Sequence, residues 1–238
     1  MSNPVFLADD VTGDRVVLSG PEGRHAATVR RLRTNEPVDV VDGRGTRASC
    51  IVTGVARDVV RLEVVQRTVE PEPAPRLVLV QALAKGDRGE LAVELATEAG
   101  IDEVLPWTAA RCVQQWHGER GEKSLERWRS TAREAAKQSR RAWFPVVSEP
   151  VRLDGVVARV GTLLVLHEGA ELALTAVPLP ADGDVLLVVG PEGGLTLAEV
   201  DALRAAGGYV VRLGNLVLRT STAGAAAAVV VSARTGRW

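Results

Sequence analysis

The sequence predicts two domains, a small β-rich domain followed by an α/β domain built on a parallel sheet. In residues 1–69, short β-branched runs recur at intervals of roughly ten residues, separated by glycine and aspartate, which is typical of a small barrel or sandwich. From residue 77 onward, continuous apolar runs alternate with helical patterns, which indicates a parallel sheet with helices on its faces. The stretch between them, 70–76, contains three prolines and is predicted to be a linker.

The composition excludes several classes of protein. The chain has 238 residues, of which 46% are hydrophobic, and a formal net charge of -1, so no bulk charge attracts it to nucleic acid. Its two cysteines, Cys50 and Cys112, are too few and too far apart for a disulfide scaffold or a zinc site, and no metal is expected. The first residues lack a signal pattern, and no apolar run approaches the ~18 residues of a membrane span. We therefore expect a soluble, cytoplasmic protein with no membrane partner.

In the first domain, four β-branched runs predict the strands: DRVVLSG, PVDVVDGRG, RASCIVTGVA and VVRLEVVQ. Residues 24–33 are the exception and predict a short helix or turn. The stretch GRGTRA at 43–48 fits a dinucleotide-binding fingerprint, but a strand pattern follows it where that motif requires a helix. We therefore interpret 43–48 as a hairpin turn.

The second domain opens with the run LVLVQAL, which is typical of a strand buried on both faces. The next pattern predicts a helix with Leu91, Leu95 and Ala99 on one face and Gly100 as its end. A short strand, IDEVLPW, follows. The stretch 123–141 then predicts a helix whose buried face is formed by Leu125, Trp128, Ala132 and Ala135.

The remaining elements alternate in the same way. The runs at 162–169 and 184–190 predict two buried strands, and the stretch 196–207 predicts a helix that opens with a capping box of Thr196 and Glu199. YVVRLG is a last strand, and TAGAAAAVVVSART a final helix.

Positive charge is concentrated in two stretches of this nearly neutral chain. Residues 111–141 carry nine Lys or Arg against four Asp or Glu, and residues 24–33 carry four arginines and a histidine without an acid. A solvated helix face explains one such patch. For two patches in two domains, a polyanionic partner explains the charge pattern as well as two solvated faces do.

The loop GPEGGL at 190–195 lies between a predicted strand and a predicted helix. It lacks the Gly-Lys-Ser/Thr ending of a phosphate-binding loop, so binding of a nucleoside triphosphate is not expected. A tight turn would explain its glycines, but exposed backbone at the carboxyl end of a strand is also where open α/β sheets bind ligands. Glu192 in this loop suits a ligand with cationic or hydroxyl groups.

A second unusual stretch leads into the final helix. Hydroxyl side chains at 220–222 are ordinary helix caps, but Arg219 precedes the positive end of the helix dipole and is a poor choice for stability. Arg219 is therefore a functional candidate. His167 and Glu168 form a polar pair at the end of a strand, whereas Cys112 and His117 lack a third orienting group, so a catalytic pair is not predicted there.

The stretches LLVLHEG, LLVVGPEGGLTLAEV and VVRLGNLVLRTSTA together resemble the trefoil-knot methyltransferases of the SPOUT class. With HAATVRRLR, KGDRGE, ATEAG, PWTAARC and EAAKQSRR, the chain is similar from end to end to the family that methylates N3 of one uridine in small-subunit ribosomal RNA. The resemblance implies a PUA-like β-barrel over 1–69 that holds RNA, and a methyltransferase domain over 77–238 with a C-terminal knot. It also implies a homodimer, with the assembled small ribosomal subunit as the expected context.

The resemblance implies a pocket for S-adenosylmethionine. The residues expected to bind it are Leu166, His167, Glu168, Gly190, Pro191, Glu192, Gly193, Gly194, Leu213, Gly214, Asn215, Val217, Leu218, Arg219 and Thr220. Arg219 is expected to stabilise the negative charge that develops on the uracil ring, with Glu192 or solvent accepting the N3 proton. The residues expected to contact RNA are Arg24, His25, Arg30, Arg31, Arg33, Lys85, Arg111, Lys137, Gln138, Arg140 and Arg141.

The chain departs from the family pattern at four positions. Ser221 stands where a glutamate is usual, Cys112 where serine is common, Arg140 in place of a frequent glycine, and Lys137 in place of a frequent glutamate. Two alternatives stay open: another SPOUT enzyme that methylates a ribose 2′-hydroxyl or a different base of ribosomal or transfer RNA, and an RNA-binding relative without catalysis.

Overall fold

The computed structural model of the protein describes residues 3–238, which form two compact units. The first contains residues 3–72 and 136–144, and the second contains 73–135 and 145–238. No local pattern in the sequence indicates that residues 136–144 belong with the N-terminal unit. The predicted linker is also one residue too long, because Arg76 is already paired in a strand.

The first unit is built on a five-stranded sheet. The strands are β1 (Val5–Leu7), β2 (Arg15–Leu18), β3 (Pro37–Val41), β4 (Thr46–Ala56) and β5 (Val59–Val69). Their order is β1-β3-β4-β5-β2, with β1 and β3 parallel and the other pairs antiparallel. The predicted hairpin turn at 43–48 is confirmed, because β3 and β4 pair directly across it. Asp42 Oδ1 accepts from the backbone N–H groups of Arg44 and Thr46 at 2.7 and 3.0 Å and so holds this turn.

Residues 20–29 form two short helices in the region expected to be a helix or turn. Helix α1 (Gly20–Arg24) runs directly into a π-helical turn, His25–Val29. Gly23 sits where an added Cβ would lie 2.2 Å from the Asp58 carbonyl oxygen, so only glycine lets α1 approach the sheet this closely. Ala26 of the π-turn is buried in the same core as Phe6 and Val38.

The second unit is built on a seven-stranded parallel sheet. The strands are β6 (Arg76–Ala82), β7 (Glu103–Trp107), β8 (Val146–Val147), β9 (Thr162–Leu166), β10 (Leu172–Ala173), β11 (Asp184–Val189) and β12 (Tyr209–Arg212). Their order is β10-β12-β9-β11-β6-β7-β8, and every pair is parallel. The carboxyl ends of β6, β9, β11 and β12 therefore lie along one edge, where ligands of such sheets bind.

Helices flank this sheet. They are α2 (Arg88–Glu98), α3 (Gly118–Gln138), α4 (Leu153–Val157), α5 (Leu197–Ala205) and α6 (Thr220–Thr235), with a 3₁₀ turn at Leu174–Ala176. Helix α6 packs against α2, β6 and β11. Gly224 permits this approach, because a Cβ at that position would lie 2.6 Å from Leu79 Cδ1.

Two predicted helix faces had different outcomes. The face of α3 is confirmed, since Leu125, Trp128, Ala132 and Ala135 are all buried. The face of α2 is wrong at Leu91, which is 41% exposed, although Ala99 is buried as part of it; the other buried residues include Ala92, Val93 and Ala96. Small residues face inward because α6 lies against this helix, and a sequence pattern that ranks leucine above alanine cannot detect so close a neighbour.

The capping box at the start of α5 is confirmed. The Thr196 hydroxyl accepts from the Glu199 backbone N–H at 3.2 Å, and Glu199 Oε2 accepts from the Thr196 backbone N–H at 2.8 Å. This pair of contacts fixes where the helix begins after the glycine-rich loop. Across residues 3–238, none of the helices has the length and apolar character required to cross a membrane.

Candidate active site

A cavity of about 620 Å³ opens in the second unit, where β9 and β11 end and α6 begins. Its walls come from residues 166–168, 189–195 and 217–220, with further side chains from Arg88, Arg111 and Ala223. The volume is in the range of sites for organic ligands of drug or cofactor size. The cavity therefore lies where the topology of a parallel sheet places a ligand site.

The glycine-rich loop, 190–195, forms one wall of this cavity and has little space for side chains. An added Cβ would lie 3.0 Å from Leu195 Cδ2 at Gly190 and 3.2 Å from Arg111 Cβ at Gly193. Gly194 has a φ of 71°, in the left-handed region that favours glycine. The three glycines thus give a tight turn with exposed backbone toward the cavity.

Arg111 holds the middle of this loop. Its Nη1 donates to the carbonyl oxygens of Gly193 at 2.9 Å and Leu195 at 3.4 Å. These contacts give the guanidinium a role in bracing the loop, and the predicted RNA contact of this exposed arginine stays a prediction. The backbone N–H of the preceding residue, Ala110, donates to Glu199 Oε1 at 2.7 Å. The segment that carries Arg111 is therefore held in place by a residue of the capping box.

The first residue of the loop, Gly190, is held by two successive hydrogen bonds that begin at a buried side chain. The Gln81 side chain at the end of β6 is fully buried, and its Nε2 donates to the Thr220 hydroxyl at 3.0 Å. That hydroxyl in turn donates to the Gly190 carbonyl oxygen at 2.8 Å. Gln81 was not among the predicted site residues. The only signal in the sequence is a polar residue inside the apolar run LVLVQAL.

Glu192 is engaged by two donors at the cavity mouth. Its Oε1 accepts from the Lys85 backbone N–H at 3.1 Å and from Arg88 Nη1 at 3.3 Å. Arg88, at the start of α2, was not predicted as a site residue. Three arginines (Arg88, Arg111 and Arg219) and two carboxylates (Glu168 and Glu192) thus line one cavity.

Arg219 differs from the other two arginines. It is exposed, it lies at the N-cap of α6 with extended backbone, and it provides no side-chain cap to that helix. Within residues 3–238, no hydrogen bond or ion pair of its guanidinium is present, whereas Arg88 and Arg111 both have partners. Its charge is therefore available to a bound molecule. Ser221, which stands where the family usually has a glutamate, is buried and does not line the cavity.

Most residues predicted to bind the cofactor lie around this cavity. Those that line it are Leu166, His167, Glu168, Gly190, Pro191, Glu192, Gly193, Gly194, Val217, Leu218, Arg219 and Thr220. Leu213 and Gly214 line a smaller adjoining cavity of about 80 Å³, together with Leu216. Asn215 lines neither cavity, so the structure gives no support to its predicted contact. The lining residues that were missed are Arg88, Val189, Leu195, Leu197 and Ala223.

The residues predicted to contact RNA are divided between the two units. Lys85 and Arg111 belong to the second unit, and the others to the first. His25, Arg30, Lys137, Gln138 and Arg140 line a common cavity there. Arg31 and Arg33 are exposed, and Arg141 Nε donates to the Trp143 carbonyl oxygen at 2.9 Å.

One of these RNA predictions requires correction. The side chain of Lys137 is only 5% exposed, and its Nζ lies 2.6 Å from Glu22 Oε1, so its ammonium is a buried ion-pair partner rather than an open contact. The carboxylate that pairs with Lys137 lies 115 positions away in the sequence, so no local pattern reveals the pair. Arg24 is exposed and lies 3.7 Å from Asp58 Oδ1, and its RNA contact stays a prediction.

Neither cysteine forms a reactive site. Burial raises the pKa of the Cys112 thiol, and the nearby His117 pairs with the Gln115 side chain at 2.9 Å. Burial, with the charge of Asp39, raises the pKa of Cys50 to about 11. In the part of the chain that the structure describes, no group of three or more His, Cys, Asp or Glu side chains is arranged to hold a metal ion.

Comparison with known proteins identifies both units. Residues 70–232 match the family model of an RNA methyltransferase domain, and residues 18–65 match that of an RNA methyltransferase PUA domain. The chain is 47% identical to the ribosomal RNA small subunit methyltransferase E of Mycobacterium tuberculosis, over 98% of this chain and 93% of that protein. It is 32% identical to the enzyme of that name from Bacillus subtilis, over 87% and 85%.

Solved structures agree with this result. The ribosomal RNA small subunit methyltransferase E of Neisseria gonorrhoeae, bound to S-adenosyl methionine, has a TM-score of 0.88 at 25% identity and covers 98% of both chains. A putative methyltransferase of Legionella pneumophila, in complex with the same cofactor, has a TM-score of 0.88 at 26% identity and equal coverage. The expected fold class, an α/β methyltransferase domain preceded by a PUA-like domain, is confirmed. The chain therefore belongs to the family of RNA methyltransferases that carry a PUA domain before the methyltransferase domain.

Proposed function

We propose that this protein methylates N3 of one uridine in small-subunit ribosomal RNA, with S-adenosylmethionine as the methyl donor. The observation that carries the proposal is the 620 Å³ cavity, in which the glycine-rich loop and residues 217–220 meet beside the exposed guanidinium of Arg219. The names of the relatives at 47% and 32% identity support the substrate, and the cofactor-bound neighbours support the donor. Enzymatic methyl transfer of this kind depends mainly on positioning.

The residues present fit S-adenosylmethionine. Apolar side chains of Leu166, Val217 and Leu218 suit the faces of an adenine, and the exposed backbone of the glycine-rich loop suits its polar edge. Glu168 is exposed at the cavity wall and suits the ribose hydroxyls. When bound, S-adenosylmethionine supplies an electrophilic methyl group on a positively charged sulfur.

Arg219 acts on the uracil ring in this proposal. Neutral uracil carries a proton on N3, and its departure leaves negative charge on N3 and the two flanking carbonyls, which persists until the methyl group is received. A guanidinium placed beside this charge stabilises it in the transition state. Two acceptors remain for the proton: solvent, and Oε2 of Glu192, whose Oε1 is already occupied by Lys85 and Arg88.

The test is turnover of an Arg219→Ala variant on small ribosomal subunits isolated from cells that lack the gene. Loss of one such charge-stabilising donor lowers kcat by on the order of 10²–10³. Calorimetry should show unchanged affinity for S-adenosylmethionine, and mass spectrometry of wild-type product should show N3-methyluridine at one position. Equal loss of cofactor affinity and rate would assign Arg219 to the cofactor.

Arg204→Ala is the matched control, because Arg204 is exposed on α5 and pairs with Asp201 at 2.8 Å. This variant should keep full turnover. The product nucleoside also separates the alternatives: a methylated ribose or a different methylated base would indicate another SPOUT activity, and cofactor binding without any product would indicate a non-catalytic RNA-binding relative.

The proposal also covers the role of each domain, the oligomeric state of the enzyme and the form of its RNA substrate. We propose that residues 1–69 hold RNA, that residues 77–238 with a C-terminal knot carry the catalysis, and that the enzyme is a cytoplasmic homodimer acting on the assembled subunit. Around the cavity, Leu197, Leu216 and Val217 are 80%, 84% and 78% exposed, which supports a partner surface there. Light scattering of the purified chain measures the dimer directly.

A further inference from the structure

A buried glutamine lies at the end of β6, next to the strand that leads into the glycine-rich loop. Gln81 is fully buried and does not line the 620 Å³ cavity, so it does not touch a molecule bound there. In the sheet it pairs with Val189, the last residue of β11, and the loop follows directly. It interrupts the apolar run LVLVQAL, where a leucine or valine would bury more apolar surface.

The amide of Gln81 is satisfied on one side only. Its Nε2 donates to the Thr220 hydroxyl at 3.0 Å and to the Ala82 carbonyl oxygen at 3.1 Å. Its Oε1 is buried and has no hydrogen-bond partner within residues 3–238. Because a buried acceptor without a partner lowers stability, an apolar side chain would occupy this place at lower cost. The presence of an amide is therefore explained by what its nitrogen does rather than by stability.

The amide nitrogen determines how the Thr220 hydroxyl is used. The Ala82 carbonyl oxygen is an acceptor, so the nitrogen and not the oxygen of the amide must lie on that side. Because Nε2 can only donate, the Thr220 hydroxyl accepts from Gln81, and its single proton is left for the Gly190 carbonyl oxygen, 2.8 Å away. Gln81 thus fixes the direction of the hydrogen bond that reaches the glycine-rich loop.

Thr220 connects this loop to the helix that carries Arg219. It is the first residue of α6 and follows Arg219, the N-cap, directly. The Arg219 carbonyl oxygen accepts from the backbone N–H groups of Thr222 and Ala223, both at 3.0 Å, so its backbone is fixed to the first turn of α6. The Thr220 hydroxyl then fixes this turn to Gly190.

A second buried donor holds the same end of β11 without reaching α6. Trp107 on β7 is fully buried, and its Nε1 donates to the Val189 carbonyl oxygen at 3.1 Å. This contact fixes the start of the glycine-rich loop to the sheet. The hydrogen bonds from Gln81 through Thr220 extend further, because they join the sheet, the loop and α6 at one hydroxyl.

We propose that Gln81 is a positioning residue that acts through the Thr220 hydroxyl and holds Arg219 in register with the glycine-rich loop. This inference rests on the proposed function and adds a residue that meets neither the cofactor nor the uracil ring. Methyl transfer is sensitive to this register, because a misplacement of about 1 Å lowers a rate by on the order of 10²-fold.

The first experiment measures the affinity of the full chain for S-adenosylmethionine by calorimetry. Gln81→Met nearly keeps the length of the side chain and removes the N–H donor, whereas Thr220→Val keeps the shape and removes the hydroxyl. Each should raise the Kd by roughly fivefold, the change expected on loss of one neutral hydrogen bond. Because Gln81 acts through the hydroxyl, Gln81→Met should have no further effect in a Thr220→Val chain. Wild-type affinity in both single variants, or the same loss from Gln81→Met in both backgrounds, would overturn the inference.

The second experiment measures kcat on small ribosomal subunits. Gln81→Met should lower kcat by at least about tenfold, because Arg219 is no longer held beside the cofactor. In an Arg219→Ala chain this effect on kcat should disappear, since no guanidinium remains to be positioned, while the rise in Kd should persist. A merely structural role would lower kcat by the same factor in both backgrounds, and that outcome would also reject the inference.

Two further variants make the test specific. Ser232→Ala is the matched control, because Ser232 is a buried polar residue of α6 that does not line the cavity, and it should keep the wild-type Kd and kcat. Thr220→Ser restores the hydroxyl and should recover most of the affinity lost in Thr220→Val. The proposed function is tested separately by the wild-type product. A wild-type chain that binds the cofactor without forming N3-methyluridine would reject the proposed function, and the calorimetric comparison would still decide whether Gln81 acts through Thr220.

Discussion

Arg111 offers a test that separates a loop-bracing role from an RNA contact. Replacing it by alanine removes the hydrogen bond of 2.9 Å to Gly193 and the longer one of 3.4 Å to Leu195. A hydrogen bond from a charged donor stabilises a folded conformation by about 1.5–3 kcal/mol. Because Arg111 is exposed, its bond to Gly193 is expected at the lower end of that range. The longer contact adds little. Arg111→Ala is therefore expected to destabilise the braced loop by about 1.5 kcal/mol.

That free energy sets the size of the expected effect. The loop keeps its other two attachments, from Thr220 to Gly190 and from Lys85 and Arg88 to Glu192, so it should loosen rather than unfold. If the binding-competent loop loses about 1.5 kcal/mol, its population falls by about tenfold, and the Kd for S-adenosylmethionine rises by about the same factor.

Isothermal titration calorimetry with S-adenosylmethionine measures this change. The control is Arg120→Ala, because Arg120 is exposed in the first turn of α3 and does not line the cavity. A change in Kd below about twofold in Arg111→Ala would refute the bracing argument. If the cofactor affinity held while RNA affinity fell with a shallower salt slope, the predicted RNA contact of Arg111 would be confirmed.

Two other predictions concern stability and reactivity. Glu103 is buried and accepts from Arg76, Arg159 and Ser148 at 2.7, 2.8 and 2.7 Å. Burial raises its pKa, but these hydrogen bonds and charges outweigh burial and hold the pKa below its usual value. Glu103→Gln should therefore cost about 2–3 kcal/mol in urea unfolding at neutral pH. Because the folded pKa is depressed, the difference should shrink as pH falls below about 4.3, and a difference independent of pH would contradict this. For Cys50, a thiol pKa of about 11 predicts very slow alkylation by iodoacetamide at pH ~8 in the folded protein and rapid alkylation in urea. Equal rates in both states would show that the thiol is accessible.

Local patterns in the sequence determined much of this protein. The alternation of apolar runs and helical patterns identified the parallel sheet, and the capping box of Thr196 and Glu199 located the start of α5. The glycine-rich loop and the turn before α6 were recognisable because their residues are adjacent in sequence. Each of these features depends on residues within a few positions of one another, which a linear pattern records.

The tertiary structure alone decided which charged and polar side chains are available. Lys137 and Glu22 are 115 positions apart, and their pairing removes a lysine that charge patterning assigns to RNA. Gln81 and Thr220 are 139 positions apart, and their contact adds a residue to the site that no local pattern indicates. The buried face of α2 depends on α6 in the same way. The free energy of a charge or a buried amide depends on its partner in space, and for these residues the partner is supplied by another part of the chain.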